Sequence, residues 1–324
     1  MIPTAQKLRG LFYKRGGITA MRKRNFAEDF RKVKALISSG KIGELITRVS
    51  AIIPGYKYMD GYLKDWYLRS KYRKFIAEHT ITYNYRLGGG HTNRIWWMWL
   101  QGVDEAPDLC KACLASLRRW HPDKEIITLD KDNISQYVTL PGYIQQKYER
   151  GFIPNAHYSD IARLQLLIQH GGIWLDATML CTGRKFEHFL ELPFFFTRWQ
   201  ENDHSSFLTS FIVSDPENPI LTLTRDLLLE YWKSYNYTIH YFIFNIFLGM
   251  ATERFQQECK QIPFFSADIV HDISRAVWNN EDYSEEKLKE FAEKSDFHKL
   301  TYKAVSPQTM QPSKFLPNLI NMYR

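Results

Sequence analysis

Two carboxylates and a guanidinium lie close together in this chain: Asp160, Arg163 and Asp176, within the string N-A-H-Y-S-D-I-A-R-L-Q-L-L-I-Q-H-G-G-I-W-L-D-A-T from Asn155 to Thr178. Each residue type suits an anionic or hydroxyl-rich ligand. A carboxylate binds hard cations through oxygen or accepts hydrogen bonds from hydroxyls. The arginine fork stays charged and matches phosphate geometry. Asp160 and Arg163 are three residues apart, so on a helix they are neighbours on one face. Taken alone, that pair reads equally well as a surface ion pair, and Asp176 as the cap of a turn.

The surrounding residues decide what these three groups share. Ile161, Leu164 and Ile168 recur at helical spacing with Leu167 beside them, which predicts a helix from Asn155 to Gln169. Gly171 and Gly172 end it, because glycine enters left-handed backbone without steric cost. Ile173, Trp174 and Leu175 then read as a short buried strand, with Asp176 at its carboxyl end. Ligands of open α/β sheets bind at that end.

The flanking chain supplies a sheet. Ile95 to Leu100 is a continuous apolar run, the mark of a central strand. Pro107 to Trp120 predicts a helix and Lys124 to Leu129 a second strand, so the order is the parallel α/β one. Further on, Pro193 to Trp199 reads as a strand. Pro219 to Trp232 and Ile239 to Phe255 read as partly buried helices, and Glu281 to Lys294 as a polar, solvated helix.

The string Ser159-Asp160-x-x-Arg163, Gly171-Gly172, Asp176 resembles the sugar-nucleotide signature of GT-A glycosyltransferases, in which S-D-x-x-R leads through G-G to a strand ending D-x-D. More narrowly, I-W-L-D-A-T resembles the bacterial capsular polysaccharide synthesis glycosyltransferases, relatives of the DXD-motif sugar-binding transferases and the clostridial glucosylating toxins. Two other stretches of this chain, I-W-W-M-W-L-Q-G-x-D-x-A-P and K-L-T-Y-K, resemble the opening and the C-terminal part of that family. Thr178 replaces the second acid of D-x-D, and this is the main departure from the pattern.

The resemblance implies a GT-A-like, Rossmann-like α/β nucleotide-sugar-binding domain with a mostly parallel central sheet. It implies transfer of a sugar from a nucleotide donor, UDP-hexose first, to a lipid-linked oligosaccharide in capsule, O-antigen or exopolysaccharide synthesis, with retention of configuration. By the same analogy Asp176 holds Mn²⁺ or Mg²⁺, Asp160 bonds the sugar or ribose hydroxyls and Arg163 reaches the diphosphate. Trp99 and Gln101 follow the first strand near the base, Ser159 and Thr178 line the donor, and the glycine pair admits close backbone approach. Lys299 and Lys303 neutralise the leaving diphosphate. Because of Thr178 a metal-free centre, with Lys or Arg carrying the diphosphate, stays open. So does a catalytically weak homologue that binds nucleotide sugar and scaffolds an assembly complex.

Composition is that of a globular protein: 324 residues, 24% charged and 15% aromatic. Four cysteines (Cys110, Cys113, Cys181, Cys259) are too few and too irregular for a disulfide framework, so reduced thiols are expected. The net charge of +8 is lopsided, since residues 1–75 hold 18 Lys and Arg against 5 Asp and Glu, while the rest is net acidic. Two amphipathic helices are expected there, Asn25 to Ser39 and Ile42 to Ile53. The charge fits an anionic membrane surface, where each basic residue contributes roughly 1 kcal/mol. It also fits a simple solvated face. Nucleic acid would use the same charge but no recognition motif accompanies it, so none is expected as a partner. No apolar run is long enough to span a bilayer. The expected organisation is a basic helical region over 1–90, a transferase domain over 91–270 and an extension over 271–324 that completes the donor site. The expected location is cytoplasmic, peripheral on the inner face of the membrane.

Overall fold

The computed structural model describes residues 60–79, 93–201, 207–302 and 315–323. The two N-terminal amphipathic helices, the expected boundary at 90/91 and Lys303 lie outside these residues. The first described element is helix α1 (Asp60–Glu78), followed by β1 (Arg94–Met98), α2 (Asp108–Trp120), β2 (Glu125–Leu129), α3 (Gly142–Glu149), α4 (Asn155–His170) and β3 (Gly172–Leu175). Then come β4 (Met179–Cys181), β5 (Phe194–Arg198), β6 (Phe207–Ser214), α5 (Pro219–Ser234), α6 (Ile243–Arg254), α7 (Asp272–Trp278), α8 (Glu285–Lys294), β7 (Phe297–Lys299) and α9 (Leu316–Met322).

The main sheet has the order β2-β1-β3-β6-β5. β1 pairs in parallel with both β2 and β3, while β6 runs antiparallel to β3 and to β5. Four of the five strands therefore point the same way, and the fold is α/β with a mostly parallel sheet. From β1 the chain crosses to β2 on one side and returns to β3 on the other. That reversal leaves a crevice beyond the carboxyl ends of β1 and β3, the place where such sheets bind ligands.

Trp96 and Trp174 face each other across the β1–β3 register and are buried with Trp97. Covering helices on both faces explain why these strands are unbroken apolar runs. α4 packs on α5, and α5 on α6. A second, two-stranded sheet pairs β4 with β7, placing Met179 opposite Lys299. Leu300 extends it by donating its N–H to the Thr178 carbonyl at 2.9 Å. This small sheet ties the C-terminal part of the chain to the turn that follows β3.

Gly171 ends α4 with φ 64° and ψ −162°, a glycine region rather than the left-handed helical cap expected from the sequence. A Cβ there would sit 2.7 Å from Pro216 Cδ and 3.0 Å from the Ser214 carbonyl oxygen. Both the dihedral and the packing oppose a side chain. Gly171→Ala is expected to lower stability by about 2–4 kcal/mol, measured by urea unfolding. An unchanged midpoint would refute the packing role.

Candidate active site

β3 and the turn after it place Asp176 at the mouth of the crevice, its N–H bonded to the Ser210 carbonyl at 2.9 Å. Trp174 and Asp176 are two residues apart and leave the same side of the chain, so the indole Nε1–H donates to Asp176 Oδ1 at 2.8 Å. Arg163 reaches in from the neighbouring α4. Its guanidinium lies 3.0 Å from Asp160 Oδ1 and 3.3 Å from Asp176 Oδ1, and donates to the Thr209 carbonyl at 2.6 Å. It is clasped between the rings of Trp174 and Phe244, at 4.8 and 5.4 Å from their centroids. Lys299, at the end of β7, donates to Asp176 Oδ2 at 2.6 Å.

The result is a nearly closed set of two anions and two cations. Burial acts to raise the Asp176 carboxyl, but Lys299 and Arg163 outweigh it and hold the group down to about 2. Asp160 behaves oppositely. Burial, opposed by Arg163 and reinforced by the charge of Asp176, pushes it up to about 6. His157 lies one helical turn before Asp160, its Nδ1 3.7 Å from Asp160 Oδ2. Burial lowers His157 to about 4, so the imidazole is neutral at physiological pH.

The other predicted residues divide. Trp99, half-buried just past β1, meets the exposed Tyr302 ring edge-on at 5.8 Å. Tyr302 is three residues from Lys299, so Trp99, Lys299 and Asp176 border one rim. Gln101 is exposed in the turn after Trp99. Ser159 is half-buried beside Asp160, and Thr178 is buried in the turn after Asp176. Gly171 and Gly172 are a correction. Gly172 begins β3 about 13 Å from Asp176 by strand rise, and Gly171 lies one residue farther back; Gly171 packs on Pro216 and Ser214 while its carbonyl accepts from Trp96 Nε1 at 2.8 Å. They shape the end of a helix and do not approach the mouth of the crevice.

The donor set around Asp176 also bears on the expected divalent ion. Both carboxylate oxygens already accept from an indole, a guanidinium or an ammonium, and the second acid of the motif is Thr178. An ion on Oδ2 would sit against the Lys299 ammonium. The residues present therefore do not fit a resident Mn²⁺ or Mg²⁺ on Asp176. Among the described residues, His121, Asp123 and Glu187 bring three ligand-type atoms within 4.8 Å of one another. Arg184 already spans both of those carboxylates, at 2.9 Å from Asp123 and 2.8 Å from Glu187. His121 and Asp123 precede β2, at the other end of the main sheet from Asp176, and Glu187 follows β4.

The family model described as capsular polysaccharide synthesis protein matches residues 53–318, which contain every group of this site. The chain belongs to that family. Over 139 residues it is 31% identical to an uncharacterized glycosyltransferase of Acanthamoeba polyphaga mimivirus, an alignment covering 40% of this chain and 51% of that protein. The chain thus spans about half the length of this curated relative. Among solved structures it is similar to a chain named PaToxG Glycosyltransferase, with 16% identity, a TM-score of 0.37, and coverage of 60% of this chain and 79% of that one.

Several members of the site go beyond the residues that the sequence singles out. His157 was within its reach, being on the Asp160 face of the same helix. Trp174 was too, by the two-residue period of a strand. The Thr209 carbonyl had no signal in residue type.

Proposed function

We propose that this protein is a glycosyltransferase of GT-A-like organisation that moves a sugar from a nucleotide donor, UDP-hexose first, to a lipid-linked oligosaccharide acceptor. The observation that carries this reading is the Asp160–Arg163–Asp176–Lys299 cluster at the crevice where the strand order reverses. Transfer breaks the bond between the anomeric carbon and the diphosphate oxygen and joins that carbon to an acceptor oxygen, and the acceptor's proton leaves with the diphosphate. The departing anion needs positive charge and the sugar needs fixing. Arg163 and Lys299 supply the charge, drawn from Asp176 as the diphosphate arrives. Asp160 fixes sugar hydroxyls, and Trp99 offers a face to the base. Retention of configuration and a place on the inner membrane face, reached through the basic residues 1–75, belong to the same proposal by analogy with the family.

The test is a thermal-shift screen of UDP-, GDP- and dTDP-sugars on wild type and Asp176→Asn. A donor at a hundred times its dissociation constant adds about 2.7 kcal/mol of stability, and the variant is expected to lose most of that shift together with donor turnover. If no nucleotide sugar moves the melting curve, or if Asp176→Asn responds like wild type, the reading fails. Donor binding that persists without any turnover in the wild type would favour the scaffold alternative.

A further inference from the structure

The link between α5 and α6 brings exposed aromatic rings to the edge of the site, and nothing in the donor chemistry uses them. It is held firmly: the Tyr231 hydroxyl accepts from the Ile239 N–H at 2.8 Å and donates to the Tyr237 carbonyl at 2.6 Å. Buried Phe244, at the start of α6, lies against the Arg163 guanidinium. Between these anchors Tyr241 is 66% exposed, although its ring meets the buried His157 ring at 6.0 Å and 71°. Phe242 crosses Tyr241 edge-on at 5.0 Å, itself 43% exposed. A continuous path therefore runs from Tyr241 through His157 and Asp160 to Arg163 and Asp176.

A solvent-facing tyrosine near a reaction centre has a particular use where the second substrate is a carbohydrate. One face of a pyranose presents C–H bonds, whose weakly positive hydrogens suit the negative face of an aromatic ring. The phenol hydroxyl keeps contact with water or a sugar hydroxyl, and a tyrosine loses little rotamer freedom on binding. The acceptor must lie beside the anomeric carbon and cannot share the diphosphate's place over Arg163 and Lys299. Of the groups that border Asp160, Arg163 faces the diphosphate, whereas the buried His157 links Asp160 outward to the exposed Tyr241 ring.

We infer that Tyr241, with Phe242 beside it, is the stacking platform of an acceptor-sugar subsite that takes a hexopyranose residue on the outer side of His157, one ring removed from Asp160. This deepens the transferase reading and rests on it.

Saturation-transfer NMR with the methyl hexopyranosides of glucose, galactose and mannose tests it on the full chain, with and without UDP. In the wild type the C–H protons of at least one glycoside are expected to saturate, and UDP is expected not to displace it. Tyr241→Ala should weaken the signal about fivefold or more, while Tyr241→Trp, which keeps a ring, retains it. The high exposure of Tyr241 keeps both variants folded, which an unchanged melting curve verifies. Absence of saturation in the wild type, an unchanged signal in Tyr241→Ala, or displacement by UDP would each overturn the subsite. Nucleotide-sugar binding is read separately by thermal shift. Loss of that response condemns the donor centre, whereas a lost glycoside signal with donor binding intact condemns the platform alone.

Discussion

Arg163→Met is expected to abolish transfer and to lower folding stability by about 3–5 kcal/mol, the range for removing one partner of a buried ion pair. The size follows from what the guanidinium touches. It is buried, it bridges Asp160 and Asp176, and it donates to the Thr209 carbonyl on β6. Methionine fills the space between Trp174 and Phe244 but leaves Asp160 with no cation and Asp176 with Lys299 alone. Burial has already raised Asp160, so without Arg163 that carboxyl rises further, takes up a proton near neutral pH and becomes a weaker acceptor for the sugar hydroxyls of the proposed donor. Arg163→Lys separates the two consequences. An ammonium keeps the charge but cannot fork between two carboxylates and a carbonyl, so most of the stability returns while turnover stays lower on the order of 100-fold. Urea unfolding and donor turnover on the two variants check this. An Arg163→Met protein that melts and turns over like wild type would remove Arg163 from both roles.

The legible and illegible parts of this site differ in how far apart their members lie in the chain. Asp160, Arg163 and Asp176 are joined by one helix and one strand, so helical spacing, a glycine stop and a buried run were enough to place them at a strand end. β1, β2 and β5 were legible for the same reason, as each is a local apolar run. β6 was not recognised, because Thr209 and Ser210 interrupt its apolar pattern. Both residues lend backbone carbonyls to the site, one to Arg163 and the other to the Asp176 N–H. β7 spans three residues and exists only through pairing with β4, more than a hundred residues away. Lys299 was therefore reachable through resemblance to K-L-T-Y-K but not through periodicity. The glycines show the opposite error. Gly171 has the backbone freedom that its type suggests, yet spends it on the close approach of Pro216 rather than on a ligand.

Lys299→Met is expected to cut turnover by about 10²–10³-fold, the usual loss when one fixed donor to developing negative charge is removed, whereas wild-type enzyme in excess EDTA retains its rate. The two outcomes belong together. In a centre with a second acid, two carboxylates would hold a divalent ion, which would supply positive charge. Here Thr178 holds that position, its carbonyl accepts from Leu300, and the adjoining β4–β7 pairing brings Lys299 to within 2.6 Å of Asp176. The ammonium stands where an ion would have to bind, and under the proposed function it would carry the charge that a leaving diphosphate requires. On the proposed reading, Asp176 holds Lys299 and Arg163 in place until the donor enters. Lys299→Arg is expected to recover part of the rate, because the cation is kept although its shape changes. A wild-type enzyme silenced by EDTA and restored by Mn²⁺ would overturn this account, since Lys299 would then have to leave Asp176 to admit the metal. Retained turnover in EDTA with Lys299→Met unimpaired would instead leave Arg163 as the cation on the diphosphate.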